Sequence, residues 1–323
     1  MQEGDCRREV TMLLDTRKNA VLQVCDANFL PFALHLMNQI MFFCPKRTFD
    51  LVIASEHELL LPHWALDAGI LFHKMHADDL PADLPVGPVV RASFYRIKAA
   101  DQLADKYRRI LYLDSDILME GGDLERLITI GMGDHPIAAV MSRLVHKRSD
   151  GRAPEYRILG LPALPYFNSG VMVIDTDAYL RERISDRCVE TILNSREAIV
   201  LADQSAYNIV LRGKFAMLSP VWNWMTSREY PFATRRIPVR FRHFCGKFKP
   251  WNDTEALDIR FRESYASFFR THLPEALPLL SPGEPPRVLP LDRMFADMMI
   301  HLRARRKISA GFETFHDEWD VKI

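Results

Sequence analysis

Short apolar runs alternate with stretches of helical spacing along this 323-residue chain. Ala20 to Val24 reads as a strand, ending in the polar turn Cys25-Asp26-Ala27-Asn28-Phe29. A helix opens near Pro31, where the fixed φ of proline suits a first turn. Leu34, Met37, Ile40 and Met41 form its apolar face, and Asp50 to Ser55 reads as a second strand. This β-α-β opening implies a parallel pair. Val86 to Val90 predicts a short strand, and Ser93 a helix cap for a helix running to about Ala104. Ile110 to Leu113 is an apolar run bounded by charge, which predicts a buried strand. Beyond Gly121-Gly122-Asp123 the pattern predicts a helix over Leu124 to Ile130 and a strand over Ile137 to Met141. Residues 143–165 read as a long loop, Tyr166 to Gly170 as a turn, and Val171 to Ile174 as a strand. Helices follow over Thr176 to Asn194 and from Asp203 to the stop at Gly213, then a strand at Phe215 to Leu218. The alternation predicts an α/β fold with an open sheet.

The chemistry concentrates after the strand at Ile110 to Leu113, in Asp114-Ser115-Asp116. If the strand ends at Leu113, the turn can aim both carboxylates at one point beyond the sheet edge, where open α/β sheets bind ligands. Two carboxylates side by side repel, and a hard divalent cation such as Mn2+ or Mg2+ relieves the conflict. A helix cap is the plainer reading of these aspartates, and a phosphohydrolase-type Asp-x-Asp is disfavoured by Ile117 and Leu118.

Other polar positions carry two readings each. Asp26 and Asn28 suit the polar edge of a base with Phe29 stacked on it, or an Asx turn beside a core phenylalanine. Arg96 suits phosphate or sugar, or solvent; Asn168 suits a ligand, or a simple turn; Asp203 caps a helix. His243 offers a metal-ligating nitrogen or a structural hydrogen bond, Gly246 a close backbone approach to phosphate, and Lys249 a positive charge.

Composition narrows the classes. Lys plus Arg and Asp plus Glu stand at 42 each, so no nucleic-acid footprint is expected. No apolar run reaches the length of a spanning helix, Met1 to Arg8 shows no signal-peptide pattern, and the five cysteines lack zinc-site spacing. A cytoplasmic setting with free thiols is expected. With 14 glycines and no glycine-rich phosphate loop, a metal and basic side chains would have to neutralise any bound phosphate.

Taken together, Leu111-Tyr112-Leu113-Asp114-Ser115-Asp116, Tyr166-Phe167-Asn168-Ser169-Gly170-Val171, Asp203-Gln204, Trp222-Asn223-Trp224 and the stretch His243 to Trp251 resemble, in order, the motifs of family 8 glycosyltransferases. That family includes bacterial lipopolysaccharide galactosyl- and glucosyltransferases and glycogenin. The resemblance implies a GT-A (Rossmann-like nucleotide-diphospho-sugar transferase) fold, a nucleotide-sugar donor of the UDP-hexose kind, Mn2+ with Mg2+ as the alternative, and transfer with retention. It implies that Asp114, Asp116 and His243 hold the metal. Donor binding would fall to Asp26, Asn28, Phe29, Arg96, Ser115, Gly246 and Lys249, and the donor sugar would be lined by Asn168, Asp203 and Gln204. Arg96 matches through Phe94-Tyr95-Arg96-Ile97. Cys25 and Phe29 depart from the family's usual Ala and Tyr, and Met141-Ser142 replaces the usual Asp, so the acceptor contacts do not carry over. A saccharide or glycolipid acceptor is expected; a nucleotide-sugar-binding protein without turnover and a self-glycosylating primer are the alternatives.

The expected division is a catalytic domain over residues 1–252 and a mainly helical C-terminal extension over 253–323, with a Pro- and Leu-rich linker at 271–290. Leu291, Met294, Phe295, Met298, Met299 and Leu302 then form a helical stripe, followed by Arg303, Arg305, Arg306 and Lys307. The stripe suits burial of Met294, Phe295 and Met298 against the catalytic domain, or peripheral contact with an anionic membrane.

Overall fold

The computed structural model describes residues 16–76, 88–142, 150–225, 237–246, 248–252, 257–281, 295, 298–299 and 314–323. The first half runs β1 (Lys18–Val24), α1 (Leu30–Phe43), β2 (Asp50–Ser55), α2 (His63–Asp67), β3 (Ile70–Lys74), α3 (Pro88–Leu103), β4 (Tyr107–Leu113), β5 (Ile117–Met119), α4 (Leu124–Ile128) and β6 (Ile137–Met141). The second half runs α5 (Pro154–Ile158), β7 (Phe167–Asp175), α6 (Thr176–Arg181), α7 (Ile184–Asn194), α8 (Ala202–Leu211), β8 (Ala216–Leu218), β9 (Trp224–Met225), β10 (Phe241–His243), α9 (Ile259–His272) and β11 (Val321–Lys322).

Eight strands form one sheet in the order β11-β8-β6-β7-β4-β1-β2-β3, while β5, β10 and β9 form a second, three-stranded sheet. The expected β1–β2 pair is parallel, and β4 joins β1 in parallel on its other side. At the edge β11 runs antiparallel to β8, and inside the sheet strand β7 is reversed, antiparallel to both β4 and β6. That reversal positions the site. Leu113, the last residue of β4, lies opposite Val171, so the start of β7 meets the end of β4 at one edge. Apolar side chains fill both faces of the sheet. Val21, Leu51, Leu111 and Val171 pack on one face with α1, and Leu22, Val52, Tyr112 and Met172 on the other with α3 and α8.

Several expected boundaries move. Residues 88–90 lie in α3, not in a strand, because Pro88 starts the helix that Ser93 was expected to cap. The helix expected over Thr176 to Asn194 is two helices, broken at Arg183 with φ 52°. Asp175 caps the first through the Ala178 amide. Within the expected loop 143–165, α5 forms at Pro154. Tyr166-to-Gly170 is not a free turn, since β7 begins at Phe167; Asn208 on α8 bonds both the amide and the carbonyl of Phe167.

Beyond Trp251 a mainly helical extension is expected, but the sequence pattern does not place α9. Its apolar face joins the main core: the Phe32 ring lies 5.8 Å from those of Tyr265 and Phe269, and His35 lies 4.0 Å from Tyr265. Pro274–Leu279 forms a 3-10 turn within the expected linker. The C-terminal residues return to the sheet edge, where Trp319 packs against Trp222 and Arg240 pairs with Glu318 at 2.7 Å. Phe295, Met298 and Met299 are helical and 64%, 39% and 47% exposed, so burial of Phe295 and Met298 against the catalytic domain does not occur. Met294, Arg303, Arg305, Arg306 and Lys307 lie outside the described residues. Among the described residues no helix is long and apolar enough to cross a membrane.

Candidate metal centre and donor site

Asp114 follows β4 directly, and its amide donates to the Gly170 carbonyl of β7 at 2.8 Å. The chain then turns through Ser115, which is buried, into β5. β10 pairs antiparallel with β5, bringing His243 opposite Ile117 and the Phe244 amide to the Asp116 carbonyl. Two carboxylates and an imidazole thus converge from segments 127 residues apart. His243 Nε2 lies 3.1 Å from Asp116 Oδ1 and 3.6 Å from Asp114 Oδ2, and the three groups offer ligand atoms within 4.8 Å of one another.

This cluster fits a divalent cation. Asp116 Oδ1 is buried without a hydrogen-bond partner, which is costly unless something positive completes it. His243 pairs through Nδ1 with Asn223 Oδ1 at 2.9 Å. An Nδ1–H donated there leaves Nε2 facing the carboxylates, where a cation would take the place of its proton, the arrangement metal-ligating histidines adopt. Two oxygens and a nitrogen suit Mn2+ or Mg2+ more than a thiolate-seeking metal. Burial opposes a charge on His243, but Cys245 and Asp116 outweigh it and hold its pKa well above the usual imidazole value. Burial likewise opposes the Asp116 carboxylate; His243 and Lys249 prevail and lower its pKa. Lys249 bonds both Asp116 Oδ2 and the Phe244 carbonyl.

The floor of the cluster is Gly170. A Cβ there would overlap the His243 ring and lie 2.7 Å from Asp114 Oδ2. Sequence reading marks the Asn168-Ser169-Gly170 stretch but assigns Gly170 no role; its tolerance of close approach is visible only once β10 is placed. Gly170→Ala is therefore expected to weaken Mn2+ binding at least about tenfold. The strand geometry at this position suits any residue, so far-UV circular dichroism should match wild type. Unchanged Mn2+ affinity in a calorimetric titration would refute this role.

On the other side of Asp114 lies Arg96 from α3. Its guanidinium is 2.9 Å from Asp114 Oδ1 and 3.3 Å from Asp203 Oδ2, and stands 4.8 Å from the centre of the Tyr112 ring. The Tyr112 hydroxyl donates to Asp114 Oδ1 at 2.8 Å. Arg96 is thus held between two carboxylates rather than in solvent. Asp203 is buried near the N-terminus of α8. Burial pushes its pKa up to about 6 although Arg96 opposes the shift. Gln204, one residue on, accepts from Asn168 Nδ2 at 2.9 Å, and Asn168 Oδ1 accepts from Asn223 Nδ2 at 2.8 Å. Asn223 therefore links the Asn168 and Gln204 amides to His243, a contact whose only sequence signal is the Trp-Asn-Trp triplet.

The expected base-side residues sit at the carboxyl end of β1, beside that of β4. Asp26 makes the Asx turn, accepting from the Phe29 amide at 3.0 Å. Asn28 is exposed, and so is Phe29, at 36%, so it is not a core phenylalanine. Gly246 has φ 86° with open space where a Cβ would stand, a conformation that L side chains adopt at a cost.

The sequence model of glycosyl transferase family 8 matches residues 88–255, which carry all of these elements except the β1 turn. Lipopolysaccharide glucosyltransferase WaaO of Escherichia coli (strain K12) is 31% identical over 170 residues, 50% of this chain and 49% of that protein. General stress protein A of Bacillus subtilis (strain 168) is 29% identical over 180 residues, 51% of this chain and 60% of that protein. The chain thus spans about half to three-fifths of the length of these curated relatives. Among solved structures, galactosyltransferase LgtC in complex with donor and acceptor sugar analogs superposes with a TM-score of 0.62 at 20% identity, covering 79% of this chain and 100% of that one. That likeness identifies the fold as GT-A, as the motif resemblance implied.

Proposed function

The chain belongs to glycosyl transferase family 8, and we propose that it is a metal-dependent, retaining hexosyltransferase that moves a hexosyl group from a nucleotide sugar to a saccharide or glycolipid acceptor. The observation that carries this reading is the convergence of Asp114, Asp116 and His243 at the edge where β1 and β4 end. In this reading the three residues hold Mn2+, with Mg2+ as the alternative, and residues 1–252 form the catalytic unit. Bound there, the cation would neutralise charge on the leaving diphosphate.

Lys249 adds a second positive charge at the same place, and the Gly246 backbone gives the diphosphate room. Asp26 and Asn28 would read the polar edge of a UDP-type base, with the exposed Phe29 ring against its face. Ser115, between the two aspartates, would adjoin the donor phosphates. Asn168 and Gln204 would contact the donor sugar, held by the amide chain that runs to His243. With its carboxylate engaged by Arg96, Asp203 is poorly disposed as a nucleophile, which favours attack from the leaving-group face. The acceptor oxygen then bonds to the anomeric carbon as the bond to the diphosphate breaks, and the hydroxyl proton passes to the departing phosphate oxygen.

A panel of nucleotide sugars with Mn2+ tests the reading. Release of nucleoside diphosphate from at least one donor, abolished by EDTA, is expected. Donor binding without release would leave a nucleotide-sugar-binding protein, and a gain of hexoses in intact mass would mark a self-glycosylating primer. The exposed Phe295, Met298 and Met299 support contact with a membrane surface. Salt-sensitive co-sedimentation with anionic vesicles is the expected result, and its absence would reject that contact.

A further inference from the structure

One buried acid has no part in the reading above. Glu155 lies in the first turn of α5, a place where an acid ordinarily faces solvent, yet it is fully buried. Its Oε1 accepts from the Tyr166 hydroxyl at 2.9 Å and from Ser205 Oγ at 2.6 Å, while Oε2 is buried with no hydrogen-bond partner. A carboxylate buried with one oxygen unsatisfied is expensive, and a well-packed apolar side chain would avoid that cost.

The partners of Glu155 lead to the site. Ser205 accepts from the Leu201 amide, so its own proton goes to Glu155. Burial first, and then the neighbouring Glu155, push the Tyr166 phenol well above its usual pKa, so it keeps the proton it donates. Its oxygen in turn accepts from Gln204 Nε2 at 3.4 Å. Gln204 Oε1 accepts from Asn168 Nδ2, Asn168 Oδ1 from Asn223 Nδ2, and Asn223 Oδ1 from His243 Nδ1. Every bond of this chain points the same way, from the imidazole to Glu155. A carboxylate can only accept, so it is a fixed terminus for such a chain. The Ser169 and Gly170 amides hold the same orientation from the side, donating to Gln204 Oε1 at 3.4 Å and Asn168 Oδ1 at 3.1 Å.

We propose that Glu155 is a positioning residue: it anchors the chain Tyr166–Gln204–Asn168–Asn223–His243 and so holds the sugar-side amides and the metal-side imidazole in register. The inference rests on the proposed roles of Gln204 and His243. Without the terminal acceptor, the Tyr166 hydroxyl turns to Gln204 and competes with Asn168 for Oε1. The amide then loses its single orientation, and the effect passes down the chain.

The full-length protein and three variants, Glu155→Met, Glu155→Gln and Tyr166→Phe, test this. The readouts are thermal unfolding, Mn2+ affinity of the donor-free protein by electron paramagnetic resonance, and kcat and donor KM. Glu155→Met is expected to lower kcat about 10- to 100-fold with donor KM nearly unchanged, and to weaken Mn2+ binding several-fold. Glu155→Gln should recover most of both, because its amide oxygen still accepts. Tyr166→Phe should match Glu155→Met, and combining the two should add little, as expected for one chain cut twice. If Glu155→Met fails to fold, Tyr166→Phe carries the test by removing a single oxygen. A folded Tyr166→Phe or Glu155→Met protein with wild-type kcat and Mn2+ affinity would overturn the proposal and leave Glu155 a purely structural group. Wild-type protein that neither binds Mn2+ nor releases nucleotide would instead overturn the metal reading beneath it.

Discussion

Asp116→Asn is expected to abolish metal-dependent turnover, by at least about 100-fold, in a protein that still folds. Asp116 faces His243 through one oxygen and Lys249 through the other. The amide keeps the shape of the side chain and can still accept one hydrogen bond, and Lys249 retains the Phe244 carbonyl at 2.7 Å. What is lost is one negative charge of the two that the cation would meet. The remaining pair, Asp114 and His243, is a poorer site, and Asp114 already shares Oδ1 with Arg96 and Tyr112. Mn2+ titration and turnover at limiting Mn2+ check this together. A folded Asp116→Asn protein within about tenfold of wild type would reject Asp116 as a ligand.

The second large effect is on stability. Arg96→Met should destabilise the protein by about 3 to 5 kcal/mol, because it strands Asp114 and the buried Asp203 without the cation between them. A surface arginine would cost far less. Asp203 also sets the sign of the pH dependence. Its folded pKa lies near 6, above the ordinary 3.8, so the folded state binds its proton more tightly than the unfolded chain does. The stability this contributes is present at low pH and is lost as pH rises through about 6. With Arg96 gone, the chief group opposing burial is lost, only the Ser169 and backbone hydrogen bonds still favour the carboxylate, and the shift grows. The penalty in Arg96→Met should therefore be largest above pH 6 and shrink toward pH 4, and Asp203→Asn in the same background should recover part of it. Denaturant unfolding at pH 4.5 and 7.5 measures both. A loss below about 1 kcal/mol, equal at the two pH values, would mean that Arg96 does not hold the two carboxylates.

These two residues differ in how far a reader of the sequence could see them. Asp116 announces itself, since an apolar run ending in Asp-x-Asp is a local pattern. Arg96 sits on a helix that starts at Pro88, and its tie to Asp203 spans 107 positions. The motif Phe94-Tyr95-Arg96-Ile97 marks it, but nothing local shows that it lies between two carboxylates. Glu155 is more hidden still: Pro154-Glu155 has the look of an exposed helix start, and its burial comes from distant segments, Tyr166 before β7 and Ser205 on α8 among them. Gly170 and Asn223 stand in the sequence as members of family motifs, and no local pattern gives either a role of its own.

By itself the sequence determined the alternating α/β pattern, the parallel opening pair, the strand end that carries two carboxylates and the order of the family motifs. These follow from local rules: apolar periodicity, helix caps and side-chain direction act over a few residues. The tertiary structure decided the reversal of β7, which brings Asn168 and Gly170 to the end of β4, and the pairing of β10 with β5, which delivers His243 to Asp116. It also decided that α9 completes the core against α1 and that Glu155 faces inward. Each of these is a contact between distant segments, and its energy comes from burial and hydrogen bonds that exist only after the chain has closed on itself.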